Sequence, residues 1–304
     1  MKKVSVVIPT YKRPVFLERA IDSVLSQDYA DLEIIVVDDN GQGTIEQIET
    51  YKKIKRYIKL GNFKYIAHEI NLNGSCARNT GIKNSSGNYI CFLDDDDQFE
   101  PSKIRNQVKL LENQDENWGA CYSGHTRIYP TGAKFIHVPK HRGDLYFEIL
   151  ASKIDHCAGS TLMIKSEVIN KVGYFDESFL RHQDIEFILR ISRNYKIEVE
   201  KESLVNIYMH SDSNRSKNAE QFEVRKKYFL EKFNNAIEIL PKNKKKYIFY
   251  THNIDIAKQF FKQKNIKKGL WYVKASGSPF KGLYKVFLDS TAYYFRQMLI
   301  KLGR

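Results

Sequence analysis

Four consecutive aspartates, Asp94 to Asp97, follow directly on the apolar run Tyr89-Ile90-Cys91-Phe92-Leu93. Four like charges in a row repel, which costs stability unless a cation binds among them. Hard divalent cations take oxygen ligands, and Mg²⁺ or Mn²⁺ commonly share them with substrate phosphates. The apolar run reads as a buried strand, so the acids stand at its carboxyl end, where open α/β sheets bind ligands. The cluster points either to a metal-assisted site for a phosphate-bearing substrate or to a solvated acidic turn that caps the helix after Pro101.

A second group of residues has matching chemistry. The strand Val4–Ile8 ends in Pro9-Thr10-Tyr11-Lys12-Arg13-Pro14. There Tyr11 can stack on a nucleobase and Arg13 can reach a phosphate. The strand Glu33–Val37 ends in Asp38-Asp39, carboxylates able to accept from a base imide or a ribose hydroxyl. Two neighbouring parallel strands that both end in polar groups make a nucleotide crevice, although the same aspartates could cap the next helix. No GxGxxG follows the first strand and no GxxxxGK[ST] occurs. Phosphates must then be handled by metal and side chains.

These residues need a sheet to hold them. Val4–Ile8, Glu33–Val37, Phe63–His68 and the run before the acids read as strands. Between and after them, Phe16–Gln27, Thr44–Ile58, Gly74–Asn84 and Pro101–Asn113 read as helices. Such alternation predicts an α/β fold, a mainly parallel mixed sheet with helices on both faces. Beyond Trp118 the pattern changes. Ala120–Tyr129 and Lys134–Val138 form a hairpin pattern, Leu145–Ala151 a short helix, and Ser160–Ile164 a strand. Asp184 to Tyr195 reads as a helix, Leu204–His210 as a strand, and residues 219–240, 244–264, 266–275 and 281–302 as helices.

Charge is unevenly placed along the 304 residues. Residues 1–210 carry 28 Lys+Arg against 29 Asp+Glu, a net −1; residues 211–304 carry 21 against 7, a net +14. A basic, aromatic-rich segment favours an anionic surface. With 42% apolar residues the chain can build a core, and it holds no run of membrane-spanning length. The apolar stretch after Lys2-Lys3 is too short for a signal peptide, which predicts a cytoplasmic protein, peripheral at the inner face of the membrane. Cys76, Cys91, Cys121 and Cys157 show no CxxC pairing and read as reduced thiols.

Four segments occur in order: Val4-Ser5-Val6-Val7-Ile8-Pro9-Thr10-Tyr11, Val36-Val37-Asp38-Asp39, Asn73-Gly74-Ser75-Cys76-Ala77-Arg78-Asn79 and Phe92-Leu93-Asp94-Asp95-Asp96-Asp97. The series resembles family 2 glycosyltransferases of the GT-A fold, closely over about residues 1–125 and more loosely to about 215. The resemblance implies a catalytic domain over 1–215, with a nucleotide-binding half (1–117) and an acceptor-binding half (118–215), followed by a helical appendage over 216–304.

It also implies roles at the matching positions. Pro9, Thr10, Tyr11, Arg13, Asp39, Arg78, Asp94 and Asp95 would bind a nucleotide-sugar donor, with Arg215 joining from a lid. Asp96, and His210 after the last strand, would hold Mn²⁺ or Mg²⁺ against the diphosphate. Asp184, in the run Arg181-His182-Gln183-Asp184-Ile185-Glu186, takes the place of the base that deprotonates the acceptor hydroxyl, at an exposed helix start that keeps it ionised. Gly159-Ser160-Thr161 resembles a segment near the donor sugar and acceptor. Gln183 stands where the family often has Glu, and Asn40-Gly41 where it often has Gly-Ser.

The implied reaction is a single, inverting displacement from a UDP-sugar, or a dTDP-sugar, to a glycan or lipid-linked oligosaccharide in surface polysaccharide synthesis. Two other classes fit less well. A sugar nucleotidyltransferase needs a Gly-rich, Arg-containing first loop, which Pro9-Thr10-Tyr11-Lys12 is not. A nucleic-acid binder would show a recognised motif, and an acidic crevice opposes one.

Overall fold

A computed structural model describes residues 2–154, 159–210 and 218–302. Arg215 and Cys157 lie outside the described residues. The chain divides into two compact units: residues 1–128, 134–146 and 155–208 form the first, and residues 129–133, 147–154 and 209–304 the second.

The first unit opens with β1 (Val4–Thr10), α1 (Pro14–Leu25), β2 (Leu32–Asp38), α2 (Ile45–Ile54), β3 (Phe63–Ala67), α3 (Gly74–Lys83) and β4 (Tyr89–Phe92). All seven residues of β2 and all four of β4 are buried, as expected of strands covered on both faces. β1 pairs in parallel with β2 on one side and β4 on the other, and β2 pairs in parallel with β3. Thr10, Asp38 and Leu93 therefore end up along one rim. α3 lies close on β1: a Cβ added at Gly81 would sit 2.2 Å from Val7 Cγ1. Only glycine permits that approach.

The second half of this unit adds β5 (Asp97–Phe99), α4 (Lys103–Glu112), β6 (Trp118–Ile128) and β7 (Lys134–His137). α5 (Tyr146–Leu150) follows, its residues 147–150 belonging to the second unit. Then come β8 (Leu162–Lys165), α6 (Ser166–Val172), α7 (Gln183–Ser192) and β9 (Lys196–Tyr208). The strand order is β3-β2-β1-β4-β8-β6-β9-β5, with β7 paired to β6. β8 joins β4 antiparallel, whereas β6 and β9 run parallel. The sheet is thus mixed: β1 to β4 pair in parallel, β8 pairs antiparallel with β4 and β6, and β6 pairs in parallel with β9.

Several elements differ from the sequence expectation. Residues 159–161 form a 3₁₀ turn instead of strand, because Ser160 is committed to the acidic turn. The strand expected from Leu204 begins at Lys196 and ends two residues before His210. Its first half, Lys196-Ile197-Glu198-Val199-Glu200-Lys201-Glu202, is too polar to read as strand, yet Glu198 is buried with Arg142 donating to it. Asp97 is the first residue of β5, paired with Ile207.

In the second unit α5 is followed by α8 (Ala219–Lys232), α9 (Asn234–Glu238), α10 (Lys242–Lys262), α11 (Ile266–Ala275) and α12 (Pro279–Lys301). The expected helix 219–240 breaks at Phe233. Ile254, Ala257, Phe260, Tyr272, Val273 and Val286 form its core. His210 belongs to this unit.

Candidate active site

A cleft of ≈ 270 Å³ opens at the carboxyl ends of the parallel strands. Pro9, Thr10, Tyr11, Arg13, Asp39, Arg78 and Asp94 all line it. A larger hollow of ≈ 470 Å³, lined by Lys2, Asn88, Glu112 and Lys165 among others, sits at the amino ends of β1 and β4. Ligands of open α/β sheets bind at carboxyl ends, so the smaller cleft is the candidate site.

One wall is the turn after β1. Thr10 Oγ1 donates to Asp95 Oδ2 at 2.7 Å, and the Tyr11 amide reaches the same oxygen at 3.4 Å. Lys12, in the left-handed region at φ 58°, donates its amide to Asn40 Oδ1 at 2.7 Å. That turn leaves Tyr11 40% exposed, with Lys12 Nζ over its ring 5.1 Å from the centroid. Arg13 lies against both Asp95, at 2.7 Å, and Asp96. Its guanidinium partly neutralises the repulsion expected within the acidic run.

The four aspartates have separate fates. Asp95 is buried, and desolvation pushes its carboxyl up to about 7 while Arg13 pulls it back. It ties β1 to the acidic turn and is not among the residues that line the cleft. Asp97 is also buried, its carboxyl raised by desolvation, and it accepts from Ser160 Oγ at 2.6 Å. Ser160 Oγ in turn accepts from the Asp94 amide at 3.1 Å. Asp94 faces the cleft, and Asp96 is held by Arg13 through its side chain and by Arg19 Nη2 through its carbonyl, at 2.6 Å. Both acids thus stand on a braced turn.

The opposite wall is α3. Asn73 caps it, its Oδ1 accepting from the amides of Ser75 and Cys76 at 2.8 and 3.2 Å. Asp39 holds the preceding loop: its carboxylate accepts from Asn71 Nδ2, the Leu72 amide and the Asn73 amide at 2.7 to 2.9 Å, with His68 Nδ1 at 2.7 Å. A base or ribose contacting Asp39 would have to share or displace one of these bonds. Arg78 projects from the first turns of α3 into the cleft, with Nη2 2.5 Å from Asp94 Oδ1 and Nη1 donating to Gln183 Oε1 at 3.0 Å.

Gln183 and Asp184 form the first turn of α7. That helix is anchored by Arg190, which pairs with buried Glu186 at 2.6 Å and donates to the carbonyls of Val172 and Tyr174. Asn79, next to Arg78, staples α3 to the segment before α7. Its Nδ2 donates to the Phe175 carbonyl and to Glu177, and its Oδ1 accepts from the Phe175 amide at 2.9 Å. Phe175 itself packs between Phe92 and Phe187. The aromatic segment before Asp184 therefore packs through Phe175 and Phe179, leaving Tyr174 and Leu180 exposed.

Asp184 is partly buried in the first turn of α7, not on an open helix start. Desolvation pushes its carboxyl up to about 6; Arg78 opposes that shift and Asp94 adds to it. Arg78, Asp94 and Asp184 are therefore electrostatically one group. The link through Gln183 was not anticipated from the sequence, and its only signal was the departure from Glu at that position. Among the described residues, no group of three or more His, Cys, Asp or Glu stands ready to hold a metal. The donor set nevertheless suits a hard cation: Asp94 and Asp96 offer carboxylate oxygens on a fixed turn, and Mg²⁺ usually takes one or two carboxylates plus substrate phosphates.

Comparison with known proteins agrees with this architecture. The family model "Glycosyl transferase family 2" matches residues 5–173. An uncharacterized glycosyltransferase of Rickettsia typhi is 32% identical over 278 residues, 87% of this chain and 81% of the relative. Other rickettsial relatives are longer, the match taking in 64% of one and 35% of another. The amylovoran biosynthesis glycosyltransferase AmsB of Erwinia amylovora is 30% identical over 213 residues, 67% of this chain and 69% of the relative. Two solved structures share the fold. One is the mannosyltransferase PcManGT of Pyrobaculum calidifontis in complex with GDP-Man and Mn²⁺ (TM-score 0.60, 17% identity, 99% of this chain and 84% of that one). The other is S. aureus TarS 1–349 in complex with UDP-GlcNAc (TM-score 0.58, 15% identity, 95% and 92%). This chain belongs to glycosyl transferase family 2 and has the GT-A fold.

Proposed function

We propose that this glycosyltransferase moves a sugar, with inversion, from a nucleoside diphosphate, UDP in the first instance, to a hydroxyl of a glycan or lipid-linked acceptor in bacterial surface polysaccharide synthesis. The observation that carries the reading is the convergence of Arg78, Asp94 and Asp184 at the carboxyl rim of β1 and β4. An acid that can act as base faces a cation that can receive a leaving diphosphate. The relatives' names support the acceptor class, and the UDP-GlcNAc complex of TarS supports the donor class.

In this reading Tyr11 stacks on the base and Arg13 exchanges its acids for phosphate oxygens. Asp94 and Asp96 would hold Mn²⁺ or Mg²⁺, which when bound supplies charge neutralisation to the departing diphosphate. Arg78 adds donors that the protein itself contributes. Asp184 takes the acceptor proton. With its carboxyl at about 6 it is roughly nine-tenths ionised at pH 7 and a stronger base than a solvated aspartate. Arg215 and His210 belong to the same proposal as donor and metal contacts, and a peripheral contact with anionic membrane as its setting.

A thermal-shift screen of nucleotide-sugars with Mn²⁺ tests the proposal. Asp96→Asn should weaken the donor shift, while Asp184→Asn should keep the shift and lose transfer. If no nucleotide-sugar stabilises the protein, or if both variants transfer at the parent rate, the proposal fails.

A further inference from the structure

α12 is 23 residues long and spans about 35 Å at 1.5 Å per residue. One side packs within the second unit: Gly282, Val286 and Ile300 are buried, and a Cβ at Gly282 would lie 2.7 Å from Ile254 Cδ1. The other side is bare. Phe280 is 88% exposed, Tyr284 and Phe287 each 65%, Phe295 61% and Met298 49%. At 100° per residue these five, with Leu283, Leu288, Tyr294 and Leu302, share one arc of about 140°. On the water side of a monomer so many large apolar groups mark an interaction surface.

The width of the arc and its charge choose the occupant. A coiled-coil seam with a second copy uses a narrower stripe than this arc. Asp289 is the only acid between residues 279 and 304, against Lys281, Lys285, Arg296, Lys301 and Arg304, and residues 211–304 carry 21 cations against 7 acids. Two copies meeting through this face would bring like charges together. An anionic bilayer surface instead offers an apolar boundary for the aromatics and phosphates for the flanking cations. No helix among the described residues is long and apolar enough to cross a membrane, so the helix would lie flat.

The geometry points to α12 as an interfacial anchor that seats its aromatic face at the headgroup–acyl boundary of an anionic bilayer. This deepens the proposed function by giving the enzyme's membrane contact a defined surface, and it is tested without donor or acceptor. Flotation with phosphatidylglycerol–phosphatidylcholine vesicles at low ionic strength should carry the full chain up, and pure phosphatidylcholine should not. Phe287→Glu with Phe295→Glu, both exposed and outside the cleft, should weaken partitioning by about tenfold or more with unchanged circular dichroism. Lys281→Gln with Lys301→Gln should weaken it about tenfold through lost lipid attraction. Equal binding to neutral vesicles, no response to the Phe pair, or a concentration-dependent dimer abolished by the Phe pair would each overturn the inference. Because binding is read with no substrate present, its failure would leave the transfer reaction standing, and loss of transfer would leave the anchor standing.

Discussion

The Asp184 carboxyl, held at about 6 in the folded protein against 3.8 for an ordinary aspartate, must weaken the fold at neutral pH. The native carboxyl binds its proton more tightly than the unfolded one. Stability from this group is therefore fully present below about pH 4 and is lost as pH rises through about 6. The gap of about two units sets a ceiling of about 3 kcal/mol at 1.36 kcal/mol per unit. Asp184 is partly buried, with some access to solvent, so screening reduces this to about 1–2 kcal/mol. Asp184→Asn removes the titration while keeping the shape. The variant should melt about 2–4 °C above the parent at pH 7.5, and the difference should shrink towards zero at pH 4.5. Differential scanning calorimetry of both proteins at both pH values makes the comparison; acids outside the Arg78–Asp94–Asp184 group titrate alike in the pair and cancel. The same variant should lose acceptor transfer. A pH-independent difference, or a variant less stable at pH 7.5 than at pH 4.5 relative to the parent, would refute the buried-base argument.

Other outcomes are expected from the same geometry. Arg78→Gln removes the cation that holds Asp184 down, so the acid limb of kcat/KM should move up by about one to two pH units, which a pH–rate profile will show. Asp97 is buried and raised, and Ser160→Ala withdraws its hydrogen bond; chemical denaturation should show a loss of about 1–3 kcal/mol. Gly81→Ala forces a Cβ into Val7 where α3 meets β1, and should lower the melting temperature while also weakening donor binding, because Arg78 rides on that helix.

The first half of the sheet was legible in the sequence because its strands are continuous apolar runs and its helices carry a clear apolar stripe. Val4–Ile8 and Glu33–Val37 each lie inside an observed strand. Thr10, Asp39 and Asp94, proposed to contact the donor, line one cleft because they sit at or just past strand ends that topology brings together. The second half was less legible. The polar start of β9 is stabilised by pairing with β6 and by the Arg142–Glu198 contact, neither of which is local. Asp95 and Asp97 look like Asp94 and Asp96 in the chain, and only alternation into the interior separates them. The segment before Asp184 is fixed by Asn79, which bonds Phe175 from 96 positions away. Gln183 shows no chemistry of its own until it meets Arg78.

Crystals soaked with UDP and Mn²⁺ test the central claim most directly. The account expects the uracil on Tyr11, the diphosphate beside Arg78, and a cation bound by Asp96 within reach of the phosphates, with Arg13 moved off its acids. An empty cleft, or a nucleotide bound elsewhere with Arg13 still on Asp95 and Asp96, would contradict it.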